Sequence, residues 1–320
     1  MNVALIGSNF ALRGYLPVIK KINKLNLKII CSRNIRKNQK INAEGVILEN
    51  NWKNIFKYNI DLIILAVPPK IQEKILLYNL KFKKKIIFEK PISTNYSLSK
   101  KIIKEIKNKK IKSEVNLTFL NHKLFKKVKK IINQNLSQLT SYKVSWSVLS
   151  QDMNKKIISW KTDESRGGGI KNIFLIHVFS YVQFFFGHYE KLNVKVKNVN
   201  LQNLMYKKFI NCELLSNSIY RGNISLFVKK KGIQEHKIEI KFKKFKLKLF
   251  TKSKDWTKNF ILKIYDNKNK IIKTYKNEID LKFEDGRSYQ IYSMIKNFLK
   301  KSSFTNQNYC LNAEKNINDI

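Results

Sequence analysis

The chain has 320 residues, 43% of them hydrophobic and 12% aromatic, which excludes a disordered polymer and favours two domains over one core. Its formal charge of +43 suggests nucleic acid, but the cations are nearly all Lys, spread over both halves, and Arg occurs only at 13, 33, 36, 166, 221 and 287. With Ile and Asn abundant and Ala scarce, the charge reads as drift toward AT-rich codons on a solvated surface, with no specific nucleic acid as partner.

Cys31, Cys212 and Cys310 are widely spaced and form no CxxC or Cys/His cluster, so neither a disulfide framework nor a metal site is expected. No apolar run approaches the roughly 18–20 residues needed to cross a bilayer. The opening MNVALIG has no basic leader, and a soluble cytoplasmic protein without a membrane span is expected.

In chain order, Val3–Gly7 reads as a strand followed by a helical stretch toward Lys24, and Leu27–Ser32 as a second strand. Ile60–Val67 (IDLIILAV) is the strongest strand signal, stopped by Pro68-Pro69. Ile71–Leu80 reads as helix, Ile86–Phe88 as strand and Leu98–Lys109 as helix. Continuous apolar strands alternating with helices predict a parallel sheet covered on both faces.

After about Val115 the pattern changes. Leu124–Ile132 reads as a basic amphipathic helix. Strands are then predicted at Tyr142–Val148, Leu192–Val199, Asn223–Val228, His236–Phe242, Phe245–Phe250 and Phe260–Tyr265, with a helix at Ser288–Lys300. Alternation as in VKVKNV and HKIEIKF predicts an antiparallel sheet with one wet face. The expected architecture is an α/β nucleotide-binding domain (residues 1–118), then an α+β domain (residues 119–320) with a large, mostly antiparallel open sheet.

The first strand runs into IGSNFALRG, where a dinucleotide fingerprint would read GxGxxG. Gly7 holds the first position, and Asn9 and Leu12 hold the other two. A strand before and a helix after still predict backbone N–H groups facing a pyrophosphate, with Asn9 tolerating a left-handed conformation. The second strand ends in Cys31-Ser32-Arg33 without the Asp or Glu that holds a ribose 2′-OH, which favours NADP over NAD. The stretch KKKIIFEKPIS ends a buried strand in Glu89, Lys90 and Pro91. Pro91 biases Lys90 toward an extended backbone, at the carboxyl end of the sheet where open α/β folds bind ligands.

Together these motifs resemble the glucose–fructose oxidoreductase / inositol dehydrogenase (Gfo/Idh/MocA) family. GSNFALRGYLP is similar to its glycine turn, IDLIILAVPPKIQ to its strand ending in Pro-Pro, and IIFEKPIS to its Glu-Lys-Pro signature. SWKTDESRGGGIKNIFLIHVFSYVQFFFG resembles its triple-glycine segment before a His-bearing helix, and ELLSNSIYRGNISLFV its strand, turn and strand. The resemblance covers essentially the whole chain. It implies a Rossmann domain, an open-sheet domain that often makes homo-oligomers, and a nicotinamide at the cleft between them. It also implies hydride transfer at a carbon of a sugar, inositol or nucleotide-sugar, with surface-polysaccharide synthesis as one setting.

Carried over residue by residue, the resemblance makes Lys90 the group at the reacting oxygen and His177 the proton-transfer residue. The cofactor would meet Gly7, Ser8, Asn9, Phe10, Ala11, Ser32, Arg33, Ala66, Val67, Pro68, Gln72, Glu89 and Lys90. The substrate would meet Lys90, Asn116, Trp160, Lys161 and His177. These roles suit the chemistry, since an imidazole takes up a hydroxyl proton and a Lys stabilises charge on oxygen. Gly167–Gly169 would let backbone approach the substrate closely.

The chain departs from the family at Ile173, one helical turn before His177, and at Ser180, two positions where members often carry Asp. Lys161 or Asp163 is the expected substitute, because Asn172 is rotated about 100° from the Ile173 position in a regular helix. These departures leave a second reading open, a cofactor-binding sensor or scaffold without oxidoreductase activity. His122, His188 and His236 have no partner constellation and are expected to be surface or structural residues.

Overall fold

The computed structural model describes residues 1–33, 45–150, 152, 157–201, 204–229, 231–276, 282–300 and 304–320. They form two compact units, residues 1–117 with 283–311, and residues 118–282 with 312–320. The chain thus leaves the first unit after Leu117, near the expected boundary, and returns to it for 283–311, a stretch the sequence reading gave to the second domain. Two ties fasten the returning segment: Ser288 Oγ donates to the Gly14 carbonyl at 2.9 Å, and Gln307 Nε2 to the Ser113 carbonyl at 2.7 Å.

The first unit is built on a six-stranded parallel sheet of β1 (Asn2–Ile6), β2 (Asn26–Cys31), β3 (Ile47–Glu49), β4 (Leu62–Leu65), β5 (Lys85–Phe88) and β6 (Ser113–Val115), in the order β3-β2-β1-β4-β5-β6. Leu62–Leu65 and Ile86–Phe88 are buried throughout, as strands covered on both faces must be. The chain winds outward one way from β1 and then the other way from β4, so the order reverses between these two neighbours. Ligands of such sheets bind at that reversal, outside the carboxyl ends of the strands. Helices Pro69–Phe82 and Tyr96–Asn108 connect the later strands. Pro69 opens the first at a position where its missing N–H costs nothing, and Asn95 caps the second by accepting from Leu98 N–H at 2.9 Å.

The second unit carries an eight-stranded sheet. Its strands are β7 (Leu139–Val148), β8 (Tyr189–Leu201), β9 (Leu204–Ser216), β10 (Tyr220–Val228), β11 (Gln234–Phe242), β12 (Phe245–Ser253), β13 (Ile261–Asp266) and β14 (Ile271–Lys276). The order is β14-β13-β12-β11-β7-β10-β9-β8, with β7–β10 the one parallel pair among the described strands of this sheet. Strand β11 alternates buried and exposed, with His236, Ile238 and Ile240 inside, which matches the predicted one wet face. Helices Lys123–Gln134 and Ile176–Phe186 contribute to the core, the latter almost wholly buried. Among the described residues no helix is long and apolar enough to cross a membrane.

Candidate active site

The turn after β1 is shaped by one glycine. Gly7 has φ +136°, and a Cβ there would lie 2.3 Å from the Ala66 carbonyl oxygen and 3.1 Å from Ala11 Cβ. Backbone bonds from Gly7 N–H to Cys31 O (2.9 Å) and from Ala66 N–H to Ile6 O (2.8 Å) hold three strand ends together. A side chain is excluded on both energetic and steric grounds. Asn9 departs from expectation: it is already helical and its φ is not positive, so Gly7 alone takes the special conformation. Leu12 N–H bonds to Ser8 O at 2.9 Å, and Ala11–Tyr15 then widens into a π-type turn. Phe10 lies on this turn, its ring 5.5 Å from that of Tyr15.

Ser32 and Arg33 follow β2, Ser32 half-buried and Arg33 exposed. Ser32 N–H donates to the Glu49 carbonyl at 2.9 Å, so an acidic residue from β3 stands beside the pair. Strand β3 is three residues long and left no periodic signal. Ala66, Val67 and Pro68 are half-buried just past the end of β4.

The Glu89-Lys90-Pro91 turn beyond β5 is held from below by Gln72. Gln72 Oε1 accepts from Glu89 N–H at 2.9 Å, while its Nε2 faces the carbonyls of Glu89, Pro91 and Ile92 at 2.6, 2.9 and 3.1 Å. Gln72 is 1% exposed, and these bonds tie its amide to the turn that carries Glu89 and Lys90. The Lys90–Pro91 peptide is cis.

Glu89 Oε1 accepts from Tyr15 Oη at 2.6 Å and from Asn116 Nδ2 at 2.8 Å. Burial pushes the Glu89 carboxyl above its usual range, while those two donors and the Lys90 charge act against the shift. Burial also lowers Lys90 to about 8, opposed by the neighbouring Glu89 charge. A cation poised near neutrality differs from the many solvated lysines of this chain. Tyr15 was missed in the sequence, where it reads as an ordinary apolar position in the first helix.

Two features fit a nucleotide cofactor here. The Gly7 cradle is a gap that any Cβ would fill. Asn116 is 1% exposed, and its Oδ1 has no hydrogen-bond partner among the described residues although Nδ2 is bonded to Glu89. An orphaned acceptor at the carboxyl end of the sheet suits an N–H or O–H brought by a ligand.

In the second unit, His177 lies on the helix Ile176–Phe186, 4% exposed. Its ring meets Phe119 edge-on at 5.5 Å and Trp256 at 5.6 Å, within an aromatic cluster that includes Trp146 and Tyr181. The turn before it is not regular: Lys171–Leu175 is π-type, and Ile176 N–H bonds to Lys171 O five residues back. The extra residue alters the angular register in which Ile173 lies one turn below His177 and Asn172 lies to one side. Asn172 donates to the Gly168 carbonyl at 2.8 Å. Ser180 Oγ donates to the Ile176 carbonyl at 2.7 Å.

The other expected substrate residues are placed less tightly. Trp160 is half-buried, and Lys161 is exposed and pairs with Asp152 at 3.6 Å. Asp163 accepts from Ser165 N–H and Oγ at 2.9 and 2.6 Å, so neither Lys161 nor Asp163 is brought to His177 by these bonds. The triple glycine folds onto its own loop: a Cβ on Gly168 would lie 2.0 Å from the Trp160 carbonyl, and Gly169 N–H bonds to Lys161 O at 2.8 Å. Within the protein its close approach is to residues 160–163. His122 caps helix Lys123–Gln134, His236 bonds Tyr181 at 2.9 Å, and His188 is exposed.

Residues 1–117 match the family model GFO_IDH_MocA, described as an oxidoreductase family with an NAD-binding Rossmann fold. Residues 1–117 are thus similar to the NAD-binding domain of that oxidoreductase family. No curated protein matches the sequence. Among solved structures, a 3-ketoreductase from Actinomadura kijaniata in complex with NADP and TDP-benzene aligns over 100% of this chain and 96% of its own, at 13% identity and TM-score 0.81. A dehydrogenase from Clostridium difficile aligns over 100% and 98%, at 16% identity and TM-score 0.78. An NAD-binding oxidoreductase from Klebsiella pneumoniae aligns over 100% and 95%, at 14% identity and TM-score 0.80. At these identities the likeness shows a shared fold along the whole chain, including the open-sheet second unit.

Proposed function

We propose that the protein transfers hydride between a nicotinamide cofactor and a secondary alcohol or ketone carbon of a sugar or nucleotide-sugar. The observation that carries this reading is the Glu89-Lys90-Pro91 turn, clamped by Gln72, which holds a Lys lowered to about 8 at the carboxyl end of an NAD-binding sheet. Gly7 through Ala11, with Ala66–Pro68, would hold the dinucleotide, and Ser32 with Arg33 supports NADP as the preferred form. When bound, the nicotinamide supplies or accepts the hydride. The Lys90 ammonium stabilises negative charge on the substrate oxygen. His177 takes the hydroxyl proton in oxidation and returns it in reduction.

Nucleotide-sugars are the first candidates because the similar 3-ketoreductase was crystallised with a TDP-linked ligand. Surface-polysaccharide synthesis and a cytoplasmic homo-oligomer are consistent settings for such a substrate. The test is NADPH and NADH titration by fluorescence, followed by turnover against a panel of keto-sugar nucleotides. Turnover that disappears in Lys90→Met while cofactor affinity is kept supports the assignment. Tight cofactor binding with no turnover across the panel would favour the sensor reading instead, which draws on Ile173 and Ser180 standing where the family often carries Asp.

A further inference from the structure

Only six of the chain's 65 basic residues are arginines, and one of them, Arg287, is laid on the dinucleotide turn. Its guanidinium carbon sits 3.8 Å above the centroid of the Phe10 ring. Asp285 fixes the plane of that group, accepting from Arg287 Nε at 2.8 Å and again from Nη2. Asp285 also accepts from Arg287 N–H at 3.0 Å, so backbone and side chain are set by one carboxylate. The next residue, Ser288, ties the segment to Gly14 at 2.9 Å. Phe10 in turn occupies the space over Gly14, where a Cβ would lie 2.3 Å from its ring. Gly14, Phe10, Arg287 and Asp285 therefore form one stack against the turn that begins at Gly7.

A structural strut would need only the hydrophobic stem, which Lys supplies as well and which this chain uses almost everywhere else. Stacking face-on to a ring while hydrogen-bonding in the plane requires a flat, delocalised cation, and that is what separates Arg from Lys. The turn has a corresponding need. Two of the three fingerprint glycines are replaced, by Asn9 and Leu12, so backbone alone has less freedom to wrap a diphosphate. The Arg287 side chain, 28% exposed, lies beside the same turn.

We propose that Arg287, positioned by Phe10 and Asp285, is a cofactor-binding residue that supplies positive charge to the diphosphate of the dinucleotide. This rests on the NAD(P)-binding reading above and adds a contributor from the returning segment 283–311, outside the matched residues 1–117. Fluorescence titration of the full chain with NADPH, and competition with ADP-ribose, tests it. Arg287→Met should weaken both ligands about tenfold, and it should flatten the dependence of log Kd on log salt because a screened charge pair has been lost. Arg287→Lys should recover only part of the affinity, since an ammonium cannot be held flat on Phe10.

Affinity within twofold of wild type in Arg287→Met, with the salt slope unchanged, would overturn the proposal and leave Arg287 a strut. If Arg287→Met does not fold, Arg287→Lys decides: weaker NADPH binding at an unchanged Tm supports the role, and wild-type binding removes it. Failure of the wild-type chain to bind any dinucleotide would instead sink the underlying functional reading.

Discussion

The two residues proposed for the chemistry sit in contrasting surroundings. Lys90 belongs to a polar network in which Gln72, Glu89, Tyr15 and Asn116 are joined by bonds of 2.6–2.9 Å. His177 belongs to an aromatic cluster in which Phe119 and Trp256 rings meet it at 5.5 and 5.6 Å. A polar network tunes charge, because each partner favours one protonation state over the other. A ring cluster tunes position, because packing fixes the ring in place. The first region should therefore respond to mutation in rate and pH profile, the second mainly in rate and stability.

The largest expected effect is Lys90→Met. Removing the cation that stabilises charge on oxygen should lower kcat by about 10³-fold, the usual scale for one oxyanion-stabilising group, with NADPH affinity kept within twofold. Steady-state kinetics with the identified substrate, alongside fluorescence titration, makes the measurement. Normal turnover would remove Lys90 from the mechanism and erase the contrast at its stronger end.

His177→Gln should come next, lowering kcat by about 10²-fold, the lower end of what a positioned general acid–base contributes. The competing outcome is informative. If turnover is unchanged and only Tm falls, His177 is a packing member of the Phe119 cluster. The proton would then have to move through another group.

The contrast also shows what was legible in the sequence. Continuous apolar runs such as Leu62–Leu65 announce a parallel sheet because both faces of the strand are buried, and alternation along Gln234–Phe242 announces a half-wet one. Strands of three residues, Ile47–Glu49 and Ser113–Val115, are too short to show any period. The return of 283–311 to the first unit is equally silent, since an amphipathic helix such as Arg287–Lys300 does not say which core it covers. Within the site, Gly7 and the Glu89-Lys90-Pro91 turn stood out because their residue types are unusual at those places. Gln72 was visible as a polar residue in a helix, but its commitment to the turn depends on a tertiary register that no local pattern carries. The wide turn Lys171–Leu175 shifts the helical register on which the Ile173 argument relied.

Gln72→Leu probes the support beneath Lys90. The substitution keeps approximate volume but removes the acceptor for the Glu89 N–H and the donor to the carbonyls of Glu89 and Pro91. A loss of about 2 kcal/mol in urea unfolding is expected, since unsatisfied buried groups cost about 1–3 kcal/mol. A fall in kcat should accompany it, because Lys90 shares the turn. Lost stability with unchanged kcat would mean that the turn holds its shape through its own backbone.

The smallest expected effect is the most specific to the polar network. Tyr15→Phe removes one of two donors to Glu89 Oε1, a bond of 2.6 Å, at a stability cost of about 1 kcal/mol. The sign of its effect on pH dependence follows from the charges. Burial lowers Lys90 to about 8 and the Glu89 charge opposes that shift, so the wild-type rate should fall as pH rises through about 8 and the ammonium is lost. The Tyr15 hydrogen bond holds the Glu89 carboxyl down against burial, and without it Glu89 takes up a proton more readily. A weaker negative charge beside Lys90 then gives the ammonium less support, and the high-pH limb of kcat should move to lower pH in Tyr15→Phe. A limb that stays in place would show that the Tyr15 bond is not needed to keep Glu89 ionised in this range. A limb that moves upward would show that Glu89 is not the group acting on Lys90.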